Sequence, residues 1–408
     1  MDNDSTRTLK SEKVRGCPVS HIDFTENMAI LGHYDLLDQE RERSRFLYNE
    51  TTERGFFMLQ RYDDVQAGLQ QHQTWTTAVR SALRPDVGLR LLPQDLNGEA
   101  HLKLRKVLNQ FFAPAAVRRL KPLATERCIE LIEELKPKGN CDFVAEFAIR
   151  YPTDLFLTLL GLPMSDGAKF LEWADALFAA LLEGDADKAS DARANILEYF
   201  EVALDDRQAN PRDPETDMVT RLQTVTIDDQ PIEREDILTI LLTLVLAGLD
   251  TTRSALGFIF AHLATNPEDR AEIVDDPDLG PKAVEEFLRM YPLVFQVGRE
   301  VQEDQEFLDL ELKRGDVMWL GLAQANRDPR KFEDPDMFMI DRPGVNQHIA
   351  FGGGPHRCLG MHLARLELQI VLEEWHERIP DYRIEEGAEL IERGGQLSLE
   401  SLPLEWEA

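Results

Sequence analysis

The residue best placed for chemistry is a cysteine in the glycine-rich stretch Phe351-Gly352-Gly353-Gly354-Pro355-His356-Arg357-Cys358-Leu359-Gly360. A helical pattern begins at Met361, so the cysteine lies close to a helix N-terminus, where unpaired N–H groups and the helix dipole stabilise a thiolate. We therefore interpret Cys358 as a metal ligand. Two alternatives remain: a buried structural cysteine after an ordinary glycine turn, and a zinc site with His356 and His362, which has no fourth ligand nearby.

A second chemical signal lies inside an apolar stretch that predicts one long helix over residues 234–264, roughly 45 Å at about 1.5 Å per residue. Its middle reads Ala247-Gly248-Leu249-Asp250-Thr251-Thr252. Glycine costs about 1 kcal/mol in a helix interior, and an unpaired buried acid costs more. Such a defect indicates a function, because Gly and Thr can loosen the helix and admit water. The alternative is a helix packed through its small residue and back-bonded by Thr.

Two further pairs have helical spacing. His101 and Arg105 lie four apart, and Glu286 and Arg289 three apart, so each pair shares one helix face. Taken alone, the first is an exposed basic pair and the second a surface ion pair worth a few tenths of a kcal/mol.

Together these motifs resemble the cytochrome P-450 family. The loop matches that family's pattern Phe-Gly-any-Gly-any-His-any-Cys-any-Gly at all six fixed positions, and the four motifs follow in the family's order. One departure is Asn97-Gly98-Glu99-Ala100, where the family usually has an Asp-Pro-Pro-type segment. The resemblance implies the mainly α P-450 fold, with a long central helix crossing the molecule and a small β region, in a single domain over 1–408.

The resemblance also assigns roles. It implies a haem b (iron protoporphyrin IX) with Cys358 as its proximal thiolate ligand, and Asp250 and Thr251 as the acid and alcohol that relay protons to O₂. Glu286 and Arg289, closed by Arg342, are implied to brace the cysteine loop. The residues expected to contact the cofactor are His101, Arg105, Arg299, His356, Gly352 and Gly360.

The implied activity is monooxygenation, in which a hydrophobic small molecule is hydroxylated with O₂ and electrons from a ferredoxin and its reductase. The alternatives are a peroxide-driven peroxygenase, although that subgroup carries Arg and Pro in place of Asp250-Thr251, and a non-catalytic haem or gas sensor. The ends of the chain, Arg378–Tyr382 and Leu402–Trp406, resemble terpene-hydroxylating members, which favours a terpenoid over a steroid or fatty acid. The candidate substrate contacts are mostly apolar: Leu244, Ala247, Gly248, Val294, Phe295, Val297 and Leu397.

The net charge is 45 minus 75, or −30, which argues against nucleic acid and anionic membranes as partners. The exception is residues 101–121, which contain six basic side chains and no acidic one. This stretch is either a solvated helix face or a docking patch for an acidic partner. As the patch for an acidic ferredoxin we expect Arg105, Lys106, Arg118, Arg119 and Arg357.

The cysteine count and hydropathy indicate a cytoplasmic protein. Four scattered cysteines suit a reducing compartment, the N-terminus has no apolar segment, and the thirteen-residue apolar run 237–249 is too short to cross a bilayer. Among the local predictions are a helix over 38–49, strands over 56–59 and 293–297, an irregular lid over 76–96, a short hairpin over 224–232 and a terminal hairpin over 391–406.

Overall fold

The structure is a computed structural model that describes residues 13–84, 89–183, 185–395 and 397–408. The described residues are mostly helical. The α-helices are α1 (Gly32–Arg43), α2 (Tyr62–Leu69), α3 (Gly98–Phe112), α4 (Pro114–Leu135), α5 (Arg150–Leu160), α6 (Gly167–Glu183), α7 (Ala186–Ala209), α8 (Met218–Thr224), α9 (Arg234–Gly248), α10 (Thr251–Thr265), α11 (Pro267–Asp275), α12 (Gly280–Met290), α13 (Leu322–Asn326) and α14 (Met361–Arg378).

Local signals explain several helix boundaries. Pro114 occupies the first turn of α4, where its missing N–H costs nothing. Helix α5 follows a π-helical turn at Val144–Ala148 and ends at Gly161, whose φ of 81° is the left-handed conformation that closes many helices. Pro152 lies in the first turn of α5, where a proline is tolerated.

The strands are short and form a small β region. They are β1 (Lys13–Val14), β2 (Cys17–Ser20), β3 (Met28–Ala29), β4 (Phe46–Asn49), β5 (Phe56–Leu59), β6 (Trp75–Thr76), β7 (Asn140–Asp142), β8 (Thr226–Ile227), β9 (Gln230–Pro231), β10 (Gln296–Val301), β11 (Gln305–Phe307), β12 (Leu310–Leu312), β13 (Val317–Gly321), β14 (Arg383–Ile384), β15 (Ile391–Arg393), β16 (Ser398–Leu399) and β17 (Pro403–Glu405).

The largest sheet has the strand order β1-β2-β4-β5-β13-β10-β6. Its centre is mixed: β5 runs parallel to β13 with Phe57 opposite Met318, whereas β10 is antiparallel to β13 with Gln296 opposite Gly321. Two three-stranded sheets, β14-β17-β7 and β16-β15-β3, tie the C-terminal segment to earlier parts of the chain.

The core is built around the paired helices α9 and α10, whose side chains are almost all buried from Ile237 to Leu246 and from Thr252 to Leu263. This helical stretch, Arg234–Thr265, is long and apolar enough to cross a membrane, and 78% of its most apolar window is buried inside the protein. Burial of that kind is also found in the central helix of a globular enzyme.

Several local predictions are confirmed. The strand over 56–59 is β5, the hairpin over 224–232 is β8-β9, and the terminal hairpin is β15-β16. Part of the predicted lid, residues 85–88, lies outside the described residues.

Two local predictions are wrong. The helix expected over 38–49 ends at Arg43, because Phe46–Asn49 pairs with β5 as strand β4. The strand expected over 293–297 begins later, at Gln296. The long helix expected over 234–264 is confirmed as the helical stretch Arg234–Thr265, and its predicted local defect appears as the interruption at Leu249 and Asp250 between α9 and α10.

Candidate active site

A cavity of about 350 Å³ lies where the α9–α10 junction, β10, α3 and the cysteine loop meet. Its wall is mostly apolar and includes the Cys358 side chain. The chain therefore brings together the loop, the helix defect and the His101 and Arg105 pair, which lie far apart in sequence.

The cysteine loop is compact. The N–H of Cys358 donates to the carbonyl oxygen of Phe351 at 2.8 Å. Gly354 has φ of 63°, and a Cβ there would lie 2.5 Å from the Leu69 carbonyl oxygen, so only glycine fits. Gly352 and Gly360 also line the cavity, and a Cβ on either would meet no protein atom. Their missing side chains leave space for a bulky group beside the thiol.

Two opposing effects act on the cysteine. Burial raises the pKa of the Cys358 thiol, whereas the Gly360 N–H and the charges of Arg105 and Arg365 lower it. A metal cation at the sulfur would favour the thiolate further.

Beside the thiol lies a group of donors without an acceptor. The rings of His101 and His356 stack at 3.9 Å between centroids, and Nδ1 of His101 and Nε2 of His356 are buried without a hydrogen-bond partner. Burial, with nearby positive charge, lowers the pKa of His101 to about 4 and that of His356 to about 3.

Two arginines complete this group. The buried guanidinium of Arg299 donates to the Gly298 carbonyl oxygen at 2.7 Å, and burial lowers its pKa to about 10. Arg105 donates to the Arg357 carbonyl oxygen at 2.7 Å. Within the described part of the chain, no carboxylate pairs with either arginine or either histidine. Such a cluster fits an anionic group carrying carboxylates.

The donor set fits a haem: a thiol for iron, an apolar cavity for the macrocycle, and unpartnered histidine and arginine groups for its carboxylates. The zinc alternative finds no support, because the described residues contain no group of three His, Cys, Asp or Glu side chains placed to hold a metal ion.

At the helix junction, the structure separates the two predicted relay residues. Thr251 lines the cavity, and its hydroxyl donates to the Ala247 carbonyl oxygen at 3.0 Å. Asp250 is buried away from the cavity wall and pairs with Arg253, which also lies 3.8 Å from Asp175 of α6. Burial raises the pKa of Asp250, and Arg253 opposes that rise.

An unpredicted acid lies on the cavity wall. Glu367 of α14 is 3% exposed and accepts a hydrogen bond from the Thr252 hydroxyl at 2.8 Å. Burial raises its pKa to about 8, so Glu367 holds a proton at neutral pH. The sequence signal was an acid between Leu366 and Leu368 on a helix that follows the cysteine loop.

Five of the seven predicted substrate contacts line the cavity: Leu244, Ala247, Gly248, Val294 and Val297. Phe295 and Leu397 do not. Phe295 follows Val294 and points the other way, with its ring 5.2 Å from that of Trp319. Leu397 is fully buried in the core.

Phe156 explains the glycine at position 248. A Cβ on Gly248 would lie 2.6 Å from the Phe156 ring, so the helix and the aromatic side chain touch directly. Phe156 also lines the cavity, so the ring's position helps to set the cavity's shape.

The predicted ion pair below the loop is buried, not exposed. Glu286 and Arg289 are both 0% exposed, and two parallel bonds of 2.8 Å join the carboxylate to the guanidinium. Arg342 adds a third bond of 2.8 Å to the same carboxylate. Arg289 also donates to the Asn326 carbonyl oxygen, and Asn326 accepts the Ile349 N–H at 2.7 Å through Oδ1. The pair thus reaches the segment that leads into the cysteine loop.

Comparison with known proteins agrees with this site. A sequence model of the cytochrome P450 family matches residues 164–276 and 279–375, which is more than half of the chain. A probable cytochrome P450 127A1 of Sinorhizobium fredii is 32% identical over 357 residues, covering 86% of this chain and 84% of that protein. The chain belongs to the cytochrome P450 family and is an oxidoreductase of the monooxygenase type.

Other relatives match over most of their length. The mycinamicin IV hydroxylase/epoxidase of Micromonospora griseorubida is 29% identical, covering 92% of this chain and 94% of that protein. The crystal structure of CYP101J2 superposes with a TM-score of 0.88 at 29% identity, covering 98% of this chain and all of that one. The P450 fold is thereby confirmed, and the family implies a haem iron cofactor.

Proposed function

We propose that this P450 holds haem b through Cys358 and hydroxylates a hydrophobic small molecule, with a terpenoid favoured and a steroid or fatty acid behind it. The observation that carries the proposal is that the thiol, the unpartnered His101 and His356 nitrogens, and Thr251 all face one mostly apolar cavity. When bound, the haem supplies the activation of O₂ and the transfer of one oxygen atom to a C–H bond.

The chain's own residues hold and move protons. Thr251 presents its hydroxyl oxygen on the cavity wall, and the protonated Glu367 lines the same cavity as a proton source, its carboxyl held by a hydrogen bond that the Thr252 hydroxyl donates. Asp250 lies one residue before Thr251 and is held by Arg253, so its carboxyl would reach the cavity only after leaving that partner. We assign Asp250, Thr251 and Glu367 to proton delivery.

The proposal places His101, His356, Arg105 and Arg299 at the carboxylates of the cofactor, with Gly352 and Gly360 leaving room beside it. Nδ1 of His101 and Nε2 of His356 have no other partner, and burial keeps water from satisfying them. Each arginine donates one bond to a backbone carbonyl oxygen, and neither pairs with a carboxylate in the described part of the chain. Glu286, Arg289 and Arg342 support the loop structurally, away from the reacting atoms.

We further propose that electrons come from an acidic ferredoxin. Lys106, Arg118 and Arg357 are exposed, and within the described part of the chain none of them forms an ion pair with an acidic side chain. Arg119 is weakly paired with Glu215 at 3.4 Å, and Arg105 lines the cavity, so the first three are the stronger candidates. Reduction that does not slow with added salt would count against this partner.

The proposal also treats residues 1–408 as a single domain working in the cytoplasm. Residues as far apart in the sequence as Leu69 and Leu368 line the same cavity, which supports a single domain. All four cysteines are free thiols, which suits a reducing compartment.

The peroxygenase and sensor alternatives are less favoured. Asp250-Thr251 stands where the peroxygenases have Arg and Pro, and a buried acid coupled to Thr252 has no evident use in a sensor. A product that forms with NADH, a ferredoxin and its reductase, and not with peroxide alone, supports the monooxygenase; a peroxide-only product supports the peroxygenase.

The ligand assignment is tested with Cys358→Ala. The reduced, CO-treated wild-type protein should show the spectrum of a thiolate-ligated haem, and the variant should lose it. Survival of that spectrum in the variant would show that another residue ligates the iron.

The proton assignment is tested with Thr251→Ala. We expect NADH consumption to continue while product falls and peroxide rises. Unchanged coupling between NADH and product would remove Thr251 from proton delivery.

A further inference from the structure

A charged network lies beside the cysteine loop, outside the cavity wall. Glu285 of α12 accepts two bonds from the Arg365 guanidinium of α14, at 2.5 and 2.8 Å, and a third from Nε2 of His348 at 3.0 Å. Although burial acts in the opposite direction, these bonds lower the pKa of Glu285 to about 2. Glu285 is therefore a carboxylate at neutral pH, and it links two helices to the segment that leads into the loop.

The donor role of His348 follows from its other ring nitrogen. Nδ1 accepts the N–H of Ala350 at 3.2 Å, so it carries no proton, and Nε2 carries the proton that is donated to Glu285. The His348 side chain is 1% exposed, and its ring lies 5.9 Å from that of Phe351. Glu285 thus fixes a histidine in the segment immediately before the loop.

Phe351 joins this network to the cysteine. The Arg365 guanidinium lies 4.6 Å from the centre of the Phe351 ring, which is the geometry of a cation–π contact. The same phenylalanine lines the cavity, and its carbonyl oxygen accepts the Cys358 N–H at 2.8 Å. Arg365 therefore contacts the residue whose backbone holds the cysteine in place, and the two bonds to Glu285 keep it there.

A charge held at this place acts on the sulfur. Burial raises the pKa of the Cys358 thiol, and Arg365 is one of the cations that oppose this rise, because positive charge favours the thiolate. The Glu285 carboxylate offsets part of that charge. The side chains of Arg365 and Glu285 are 19% and 18% exposed, so solvent ions screen them only in part. The pair is therefore placed to set how much positive charge the sulfur experiences.

We propose that Glu285 is a positioning residue for Arg365, and that the balance of their two charges sets the reduction potential of the haem iron that Cys358 ligates. This inference rests on the proposed function, because it requires Cys358 to be the iron ligand. Positive charge near a ligating sulfur stabilises the reduced iron, which carries one positive charge fewer, and so raises its reduction potential. Glu285 and Arg365 thereby set how readily the iron accepts its first electron.

The test is a redox titration of the substrate-free holoprotein, in the wild type and in variants that each change one charge. Glu285→Gln removes the carboxylate and leaves Arg365 over the Phe351 ring, so the reduction potential should become more positive. Arg365→Gln leaves the carboxylate without its cation, so the potential should become more negative. We expect each variant to change the equilibrium constant for reduction about tenfold, which is about 59 mV for a one-electron couple. The double variant keeps the net charge of the pair and should titrate close to wild type.

The control variant is Arg357→Gln, which removes the same charge from the residue next to Cys358. The Arg357 side chain is exposed, so water and salt screen its charge. Its removal should shift the potential much less than Arg365→Gln does, and less still with added salt. Arg365→Lys keeps the positive charge and should stay near the wild-type potential.

Opposite shifts in Glu285→Gln and Arg365→Gln would support the proposal, because a merely structural loss of the contact would move both variants in the same direction. Shifts of the same sign, no shift in either variant, or a shift in Arg357→Gln as large as that in Arg365→Gln would overturn it. If Glu285→Gln does not retain haem, Arg365→Gln is compared with Arg365→Lys, and equal potentials would overturn the proposal.

The spectrum of the reduced, CO-treated wild type separates this inference from the proposed function. A wild type without the spectrum of a thiolate-ligated haem would refute the ligand assignment and this inference with it. A normal spectrum with unmoved potentials in the variants would refute this inference alone.

Discussion

Replacing Glu286 with Ala should destabilise the protein by about 3–5 kcal/mol, the cost of breaking a buried ion pair by removing one partner. The Glu286 carboxylate accepts two bonds from Arg289, one from Arg342 and one from the Met339 N–H at 3.2 Å. Without it, two guanidinium groups that are 0% and 5% exposed keep their charge and lose their anion. We expect a loss of unfolding free energy near the upper end of this range, because truncating one side chain leaves two buried guanidinium charges unpaired.

The matched control is Lys282→Ala. Lys282 lies one turn earlier on α12 and pairs at 2.5 Å with Asp341, the neighbour of Arg342, but the two side chains are 55% and 71% exposed. This ion pair joins the same two segments in water and should contribute about 0–1 kcal/mol. Glu286→Gln, which keeps the shape and removes the charge, should fall between the two.

Free energies of unfolding come from urea titrations of each variant, followed by tryptophan fluorescence and far-UV circular dichroism. The double variant Glu286→Ala with Arg289→Ala should lose less unfolding free energy than its two single variants lose together, because removing both partners leaves neither of them as an unpaired buried charge. The reasoning is refuted if Glu286→Ala stays within about 1 kcal/mol of wild type, or if Lys282→Ala costs as much.

Two further predictions concern the cavity wall. Glu367 releases its proton near pH 4.5 when unfolded and near pH 8 when folded, so the folded state binds more protons in that window and its free energy of unfolding falls as the pH rises. In Glu367→Gln the free energy of unfolding, measured by urea titrations between pH 4.5 and about pH 8, should fall less with rising pH than in wild type. An identical dependence on pH in both proteins would contradict this prediction. Gly248→Ala should destabilise by about 1–3 kcal/mol through its contact with Phe156, an amount that exceeds the gain in helix propensity of up to about 1 kcal/mol. In a Phe156→Leu background the same change should become neutral or stabilising, and an equal cost in both backgrounds would show that the contact is not responsible.

Much of the fold could be predicted from the sequence, because it depends on signals that lie within short segments. The cysteine loop, the helix after it and the short hairpin over 224–232 each follow from a few neighbouring residues. The end of α1 could not be predicted from local signals, because Phe46–Asn49 becomes a strand only through pairing with β5.

The site was predicted less completely, for physical reasons that differ between residues. Phe295 and Leu397 are apolar, and hydrophobicity does not distinguish a cavity wall from a core. Glu367 was missed because its role depends on burial and on Thr252, which is 115 positions away. Asp250 was found by its odd position in an apolar helix, but its pairing with Arg253 required the three-dimensional arrangement.

The stacking of His356 on His101 and the bond from Arg105 to the Arg357 carbonyl oxygen bear on how the protein is made. That bond spans 252 positions of the sequence, so the pocket's two halves leave the ribosome far apart in time. A nascent chain that has completed α3 already carries one half, yet it has neither the thiol nor the stacking ring until the loop has emerged. Stable capture of the cofactor is therefore a late event in biosynthesis, and chains that stop before the loop would present the exposed half of an apolar pocket to the cell's chaperones and proteases.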